Sequence, residues 1–161
     1  KSKNISDIKA CVLKRPRHDN IIKELIKLNV KINYITDGDI AGALSVIGDK
    51  PKNDIYYSTG GGPEGVITAA ALSCYGGQIQ GRLVLNNEEK LRAKKLGITN
   101  FSRKYNINDM VKGDVIFCAT GVTSGDLASG VKDLGNEFEV NTFALHKSQN
   151  TVNSIKNIYN K

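Results

Sequence analysis

The feature that most constrains this chain is the run Tyr56-Tyr57-Ser58-Thr59-Gly60-Gly61-Gly62-Pro63-Glu64-Gly65-Val66-Ile67-Thr68-Ala69-Ala70-Ala71-Leu72. An apolar segment ends in three glycines, and a proline and a glutamate then open a stretch of good helix formers. That order predicts strand, tight loop, helix. Glycine lets the backbone turn sharply and approach a ligand closely. Pro63 suits the first helical position, where its missing N–H would be an orphan anyway. The loop presents free N–H groups at the positive end of a helix dipole, a place for an anion. Glu64 either stabilises its own helix from the first turn or offers a hard oxygen ligand to a divalent cation. The run is not a P-loop, since no Gly-Lys-Ser/Thr follows. Nor is it a dinucleotide fingerprint, since residues 78–85 carry no acidic side chain to close the next strand.

Upstream, the apolar run 8–13 has strand length and stops at Lys14-Arg15-Pro16-Arg17-His18. Asp19 or Asn20 is positioned to cap a helix in which Ile21, Ile22, Leu25, Ile26 and Leu28 recur at helical spacing, with Asn29 at its end. Residues 30–35 are the next strand, giving the strand–helix–strand unit of an α/β sheet. It runs into Thr36-Asp37-Gly38-Asp39 and a segment of small residues suited to a closely packed helix. Residues 48–53 are a loop by composition, and 54–58 form the strand feeding the glycines. Three polar loops therefore follow three strands. If the strands are parallel neighbours, the loops converge at the carboxyl edge where open α/β sheets bind ligands.

Downstream, 78–85 alternates like a half-buried strand. Asn86 or Asn87 caps a helix to about Leu96, stopped by Gly97. Residues 106–111 suggest a short helix, and 114–120 a buried strand followed by a polar loop, 121–126. Two strands around a turn, 138–146 and 151–155, make the sheet mixed. The expected class is α/β, with a central mixed β-sheet flanked by helices, and residues 1–161 form a single domain.

Composition narrows the function classes. A net charge of +7 is compatible with nucleic acid, but Lys and Arg are scattered and only 6% of residues are aromatic, too few for a stacking surface. An anionic small molecule accounts for the basic balance. Cys11, Cys74 and Cys118 are widely spaced in apolar settings and read as small buried hydrophobes in a reducing compartment. With no secretory signal and no apolar run of membrane-spanning length, the expectation is a soluble cytoplasmic protein with no nucleic-acid or membrane partner. The chain opens at Lys1 close to its first strand, which suggests a piece of something longer.

Arg15-Pro16-Arg17 sets two guanidiniums on a stiff loop, a geometry suited to phosphate. Asp37-Gly38-Asp39 is either a turn and cap or a pair of acceptors for sugar hydroxyls or metal-bound water. His18 is expected to be a hydrogen-bonding group at the start of its helix, and His146 to be structural. No Ser/His/Asp or Cys/His set has supporting context for nucleophilic catalysis.

With these residues set out, the sequence resembles the class II (GlpX-type) fructose-1,6-bisphosphatases, metal-dependent sugar phosphatases of the inositol-monophosphatase-like superfamily. The resemblance is carried by five motifs in order: Arg15-Pro16-Arg17-His18, Asp37-Gly38-Asp39-Ile40-Ala41-Gly42, Gly60-Gly61-Gly62-Pro63-Glu64-Gly65-Val66, Gln80-Gly81-Arg82-Leu83, and Asp114 through Thr123. They correspond to the carboxy-terminal half of such an enzyme. The resemblance implies that Glu64 is the one metal ligand from this half, for Mn2+ or Mg2+. It implies that Gly61 is a backbone position at the substrate, and that Arg15, Pro16 and Arg17 together with Asp37, Gly38 and Asp39 bind fructose 1,6-bisphosphate. The amino-terminal half, which in the family supplies the other metal-binding carboxylates and a water-orienting threonine, then becomes a required partner. These residues alone are expected to be inactive, because one glutamate cannot hold a metal and generate a nucleophile. The tail departs from the family pattern, with His146 and Asn153 in a stretch where arginines are usual. A non-catalytic sugar-phosphate-binding or assembly domain is the alternative, and the sequence leaves open whether the protein forms a homo-oligomer.

Overall fold

A computed structural model describes residues 3–48 and 50–161, so Asp49 of the expected 48–53 loop lies outside the described residues. The amino-terminal part is a three-stranded parallel sheet in the order β2-β1-β3, with β1 Lys9–Leu13 between β2 Lys31–Ile35 and β3 Ile55–Tyr57. Being central, β1 is covered on both faces, and Ala10, Cys11, Val12 and Leu13 are all buried. That is why its sequence is a continuous apolar run instead of an alternation. The flanking β2 is mostly exposed and more polar.

Helix α1, Asp19–Lys27, follows a 3-10 turn at Pro16–His18. Neither Asp19 nor Asn20 caps it. The preceding position is held by His18, whose ring is turned into the interior, and no side chain caps the helix. Its other end is as expected, because Asn29 adopts a left-handed φ of 56° and the Val30 N–H returns to the Leu25 carbonyl. Helix α2, Asp39–Leu44, packs on β1 and β3. Its Gly42 sits so close that a Cβ there would lie 2.6 Å from Ile35 Cδ1 and 2.7 Å from the Tyr56 ring, which explains the small residues of this segment.

Helix α3, Gly62–Cys74, begins one residue earlier than expected, so Pro63 occupies the second helical position. It touches α2 and also the antiparallel sheet, contributing Ala71 and Cys74 to a core shared with Phe117 and Leu145. Between them lie α4, Asn87–Lys95, and α5, Ile107–Met110, with a minimal pairing of β4 Gln80–Gly81 and β5 Tyr105–Asn106. Asn86 caps α4 through a reciprocal box with Glu89. The expected strand over 78–85 is reduced to those two residues. Alternation alone does not supply a partner strand, and Val84 is left 77% exposed.

The antiparallel sheet is built on β8, Glu137–His146. Strand β9, Thr151–Asn160, pairs with its whole length, and β6, Ile116–Thr120, and β7, Lys132–Asp133, pair with parts of it. The α/β class with helix-flanked sheets therefore holds, with parallel and antiparallel strands hydrogen-bonded in separate sheets. Strand β6 is not buried on both faces: Phe117 points inward while Ile116 and Cys118 are exposed. Cys118 is thus not the buried hydrophobe expected, because in an edge strand neighbouring side chains take opposite faces. Among the described residues Cys11 and Cys74 are buried free thiols, both pushed up by burial.

Candidate functional site

The parallel registers, Leu13 beside Ile35 and Val12 beside Tyr57, bring three chain ends to one edge of the sheet. The loop after β1 carries Arg15, Pro16 and Arg17, the loop after β2 carries Asp37 and Gly38, and the loop after β3 carries the glycines. Their convergence, conditional in the sequence, is realised because all three strands run the same way.

Hydrogen bonds tie these loops together at side chains just before the glycines. The Thr59 N–H donates to His18 Nε2 at 2.9 Å, and the ring's other nitrogen, Nδ1, lies 2.6 Å from the Leu13 carbonyl. Arg17 Nε donates to the Thr59 carbonyl at 2.5 Å. Ser58 Oγ and the Tyr56 hydroxyl donate to Asp39 Oδ1 at 3.0 and 2.5 Å. Burial and the Asp39 carboxylate together hold the Tyr56 phenol well above its ordinary pKa. Gly60 lies over the same carboxylate, since a methyl group there would meet it at 3.9 Å.

Each sequence-identified residue can now be placed. Arg17 and Asp39 are joined through the 56–59 segment. Arg15 is exposed and extended (φ −140°), and its guanidinium has no partner among the described residues. Pro16 opens the 3-10 turn. Asp37 accepts the Gly38 N–H at 2.8 Å, the turn role, while Gly38 takes a left-handed φ of 84° immediately before α2. Both line a cavity of about 270 Å³ whose far wall is Thr123, Ser124 and Asp126. The 121–126 loop thus reaches this region from the antiparallel sheet, held by a 2.8 Å ion pair between Asp126 and Lys52. Gly61 precedes α3, and a Cβ there would overlap the Glu64 carboxylate, so glycine leaves the room that the folded-back side chain occupies. Glu64 is exposed in the first turn of α3, with no hydrogen-bond or ion-pair partner among the described residues.

No group of three or more His, Cys, Asp or Glu side chains among the described residues could hold a metal ion. Glu64 fits a divalent cation as a single, free, hard carboxylate that needs further ligands from elsewhere. A serine, a histidine and an aspartate do meet where β6 begins and β8 ends. Ser148 Oγ donates to Asp114 Oδ2 at 2.6 Å, and His146 Nε2 reaches the same oxygen at 2.8 Å. A nucleophilic triad needs serine and aspartate on different ring nitrogens. Here both polar groups crowd one nitrogen, and the serine proton is spent on the carboxylate. The cluster ties a turn, consistent with the structural role expected for His146.

Sequence reasoning missed Tyr56, Ser58 and Thr59. The available signal was a run of hydroxyl side chains at a strand's end directly before a ligand-type loop, but no local pattern says which of them turns toward Asp39.

A sheet whose carboxyl edge gathers arginines, aspartates and a glycine loop at a helix start belongs to the α/β proteins that bind ligands at strand ends. Comparison with known proteins narrows that class. A family model described as "Bacterial fructose-1,6-bisphosphatase, glpX-encoded" matches residues 1–159, and the chain belongs to that family. It is 36% identical over 171 aligned positions to the "Fructose-1,6-bisphosphatase class 2" of Haemophilus influenzae and 32% identical over 172 to the "Fructose-1,6-bisphosphatase 1 class 2" of Escherichia coli. Each alignment takes in 98% of this chain and 51% of the relative, so the chain spans about half the length of the curated relatives it matches.

Proposed function

We propose that this chain is the substrate-binding half of a class II fructose-1,6-bisphosphatase, hydrolysing the 1-phosphate of fructose 1,6-bisphosphate to fructose 6-phosphate and inorganic phosphate. The observation that carries this reading is the convergence of Arg15, Arg17, Asp37, Asp39 and the glycine loop on one sheet edge, with the charges of Arg15 and Glu64 left unpaired. Exposed charges that the protein does not spend on its own neighbours stay available to a charged ligand.

The division of labour follows from the chemistry of each group. Arg15 and Arg17 suit the phosphate that stays, as fork-shaped donors. The free Oδ2 of Asp39 and the exposed Asp37 carboxylate suit sugar hydroxyls. The backbone at Gly61 allows close approach. Glu64 would hold a divalent cation, Mn2+ or Mg2+, whose chemistry when bound is to lower the pKa of water and neutralise charge on the phosphate being lost. The remaining cation ligands and the group orienting the water would come from an amino-terminal half. In the balanced reaction a water oxygen bonds to phosphorus, the bond from phosphorus to the sugar oxygen breaks, and that oxygen takes up a proton. We place the protein in the cytoplasm. None of its helices among the described residues is long and apolar enough to cross a membrane, and its described cysteines are free.

Titration calorimetry with fructose 1,6-bisphosphate and Mn2+ tests the binding half of this reading. Heat with the wild type, weakened by Arg15→Ala, is expected, and no heat with the wild type would discard it. Phosphate release is expected only when an amino-terminal half is supplied. Release by these 161 residues alone, abolished by Glu64→Ala, would overturn the assignment of catalysis to the other half. A second reading is a sugar-phosphate-binding domain without catalysis, since Glu64 is a single free carboxylate and binding by the sheet edge does not depend on it. Binding that persists with no turnover when the amino-terminal half is present would select it.

A further inference from the structure

Resting on that reading of the site, we infer that His18 is a positioning residue, whose imidazole holds Thr59, and through it the glycine loop and Arg17, in the arrangement that binds the sugar bisphosphate. His18 is fully buried, with 0% exposure, beside a surface of exposed charged residues. Burial of a polar ring is tolerated only where its nitrogens are satisfied. Both are, and their partners lie at the ends of two strands: Leu13 closes β1, and Thr59 follows β3 at a distance of 41 residues along the chain.

The partners assign the tautomer. The Thr59 N–H points at Nε2, which requires a lone pair there, and the Leu13 carbonyl faces Nδ1, which requires a proton there. The Thr59 carbonyl also lies 3.0 Å from Nε2 and could accept from a proton there, so the Leu13 carbonyl decides: at 2.6 Å from Nδ1 it would face a bare lone pair in the opposite tautomer, which would also set an N–H against the Thr59 N–H. With Nε2 acting as acceptor, the Thr59 carbonyl takes its proton from Arg17 Nε, the shorter of its two contacts. One peptide unit to either side of Thr59 is thereby fixed: its N–H by His18, its C=O by Arg17. The neighbouring Ser58 holds Asp39, and the neighbouring Gly60 lies over the Asp39 carboxylate. Displacing Thr59 therefore disturbs an arginine anchor, an aspartate and the first glycine together, although His18 itself is buried away from any ligand.

A merely structural histidine and a positioning one differ in which of the two bonds matters for the ligand. In the intact protein, His18→Asn can still donate to Leu13 from the Nδ1 position but loses the acceptor for Thr59. His18→Gln can place an acceptor near Nε2 but loses the Leu13 bond. Both are expected to lower stability, while affinity for fructose 1,6-bisphosphate falls about tenfold or more in His18→Asn and stays within about threefold of wild type in His18→Gln. Equal affinities in the two variants, or a larger loss in His18→Gln, would overturn the inference. Nitrogen-15 spectra of the wild-type ring at about pH 8 should show the proton on Nδ1. A proton on Nε2 would overturn it even if neither variant folds. A wild type that fails to bind the sugar bisphosphate removes the functional reading and the ligand half of this inference. Amide exchange at Thr59, expected to be faster in His18→Asn than in His18→Gln, then still decides whether His18 holds the loop.

Discussion

The carboxyl edge of the parallel sheet and the face of the antiparallel sheet treat charge differently. At the carboxyl edge of β2-β1-β3, among the described residues, Arg15 and Glu64 stand without partners and Asp37 has only a backbone N–H. On and beside the antiparallel sheet, three carboxylates are paired. Glu139 is bonded by Lys156 and by Lys132, the latter at 3.0 Å; Asp133 meets Lys161 at 2.7 Å; and Asp114 gathers His146 and Ser148. The shifted carboxylates follow the pairs. Lys156 and then Lys132 hold Glu139 down to about 2, and Ser148 and then His146 hold Asp114 far below the usual carboxylate range. Strongly perturbed pKa values often mark functional sites; here the shifted carboxylates Glu139 and Asp114 belong to the scaffold, while at the sheet edge the raised group is Tyr56, which holds Asp39. On the function proposed above, the charges of Arg15 and Glu64 are kept for a ligand, since a group that meets one cannot be spent on a permanent neighbour.

The largest effect that would sharpen this contrast is in the shared core. Leu145 is 1% exposed against α3 and β6, so Leu145→Ala should cost about 2–5 kcal/mol of stability. Denaturant unfolding measures it, and ligand affinity of the folded fraction should be unchanged. Arg15→Ala should do the reverse. It should weaken sugar-bisphosphate binding by the ~1.5–3 kcal/mol of a hydrogen bond to a charged group, with the unfolding midpoint unmoved. A parallel loss of stability would break the contrast. Gly42→Ala lies between the two. Its methyl would press on Ile35 and on Tyr56, the ring that holds Asp39, so overpacking should cost about 1–3 kcal/mol and weaken binding as well.

The smallest effect is on pH. His146 is raised by Asp114, so their tie contributes fully below the ordinary histidine value of about 6.5 and is lost as pH climbs through the raised one. Glu139 is lowered, so its contribution is complete above the ordinary glutamate value of about 4.3 and disappears as pH falls toward about 2. Melting temperature against pH should therefore show a shallow plateau between those limits. His146→Gln should flatten the alkaline side, and an unchanged alkaline limb would separate His146 from it. Ligand affinity through the same range should not follow the plateau if the sheets behave separately.

Much of the architecture was legible because its signals are local. The apolar run at Ala10 to Leu13, the helical spacing of Ile21 to Leu28 and the glycines before Pro63 each set their own element. The order strand–loop–helix placed the loops after the strands. The segment around Arg82 and Val84 misled for the same reason: its alternation satisfies a strand's local pattern, but the only partner available is the two residues of β5. Cys118 misled because an apolar neighbourhood in sequence does not say which face of an edge strand a side chain takes. At the site, the residue types of Arg15, Asp37 and Glu64 were readable, while the hold of Tyr56 and Ser58 on Asp39 was not.

By itself, the sequence determined the three strands, their three polar loops and the family motifs they carry. These depend on spacing, turn residues and helix starts within a dozen positions. Only the tertiary structure decided that the loops meet, that His18 is buried between Leu13 and Thr59, and that Glu139, Asp133 and Asp114 are paired while Arg15 and Glu64 have no partner among the described residues. Parallel pairing, burial and the bond from Thr59 to His18 are set by partners tens of residues away, and contacts at that range leave no periodic trace in the chain.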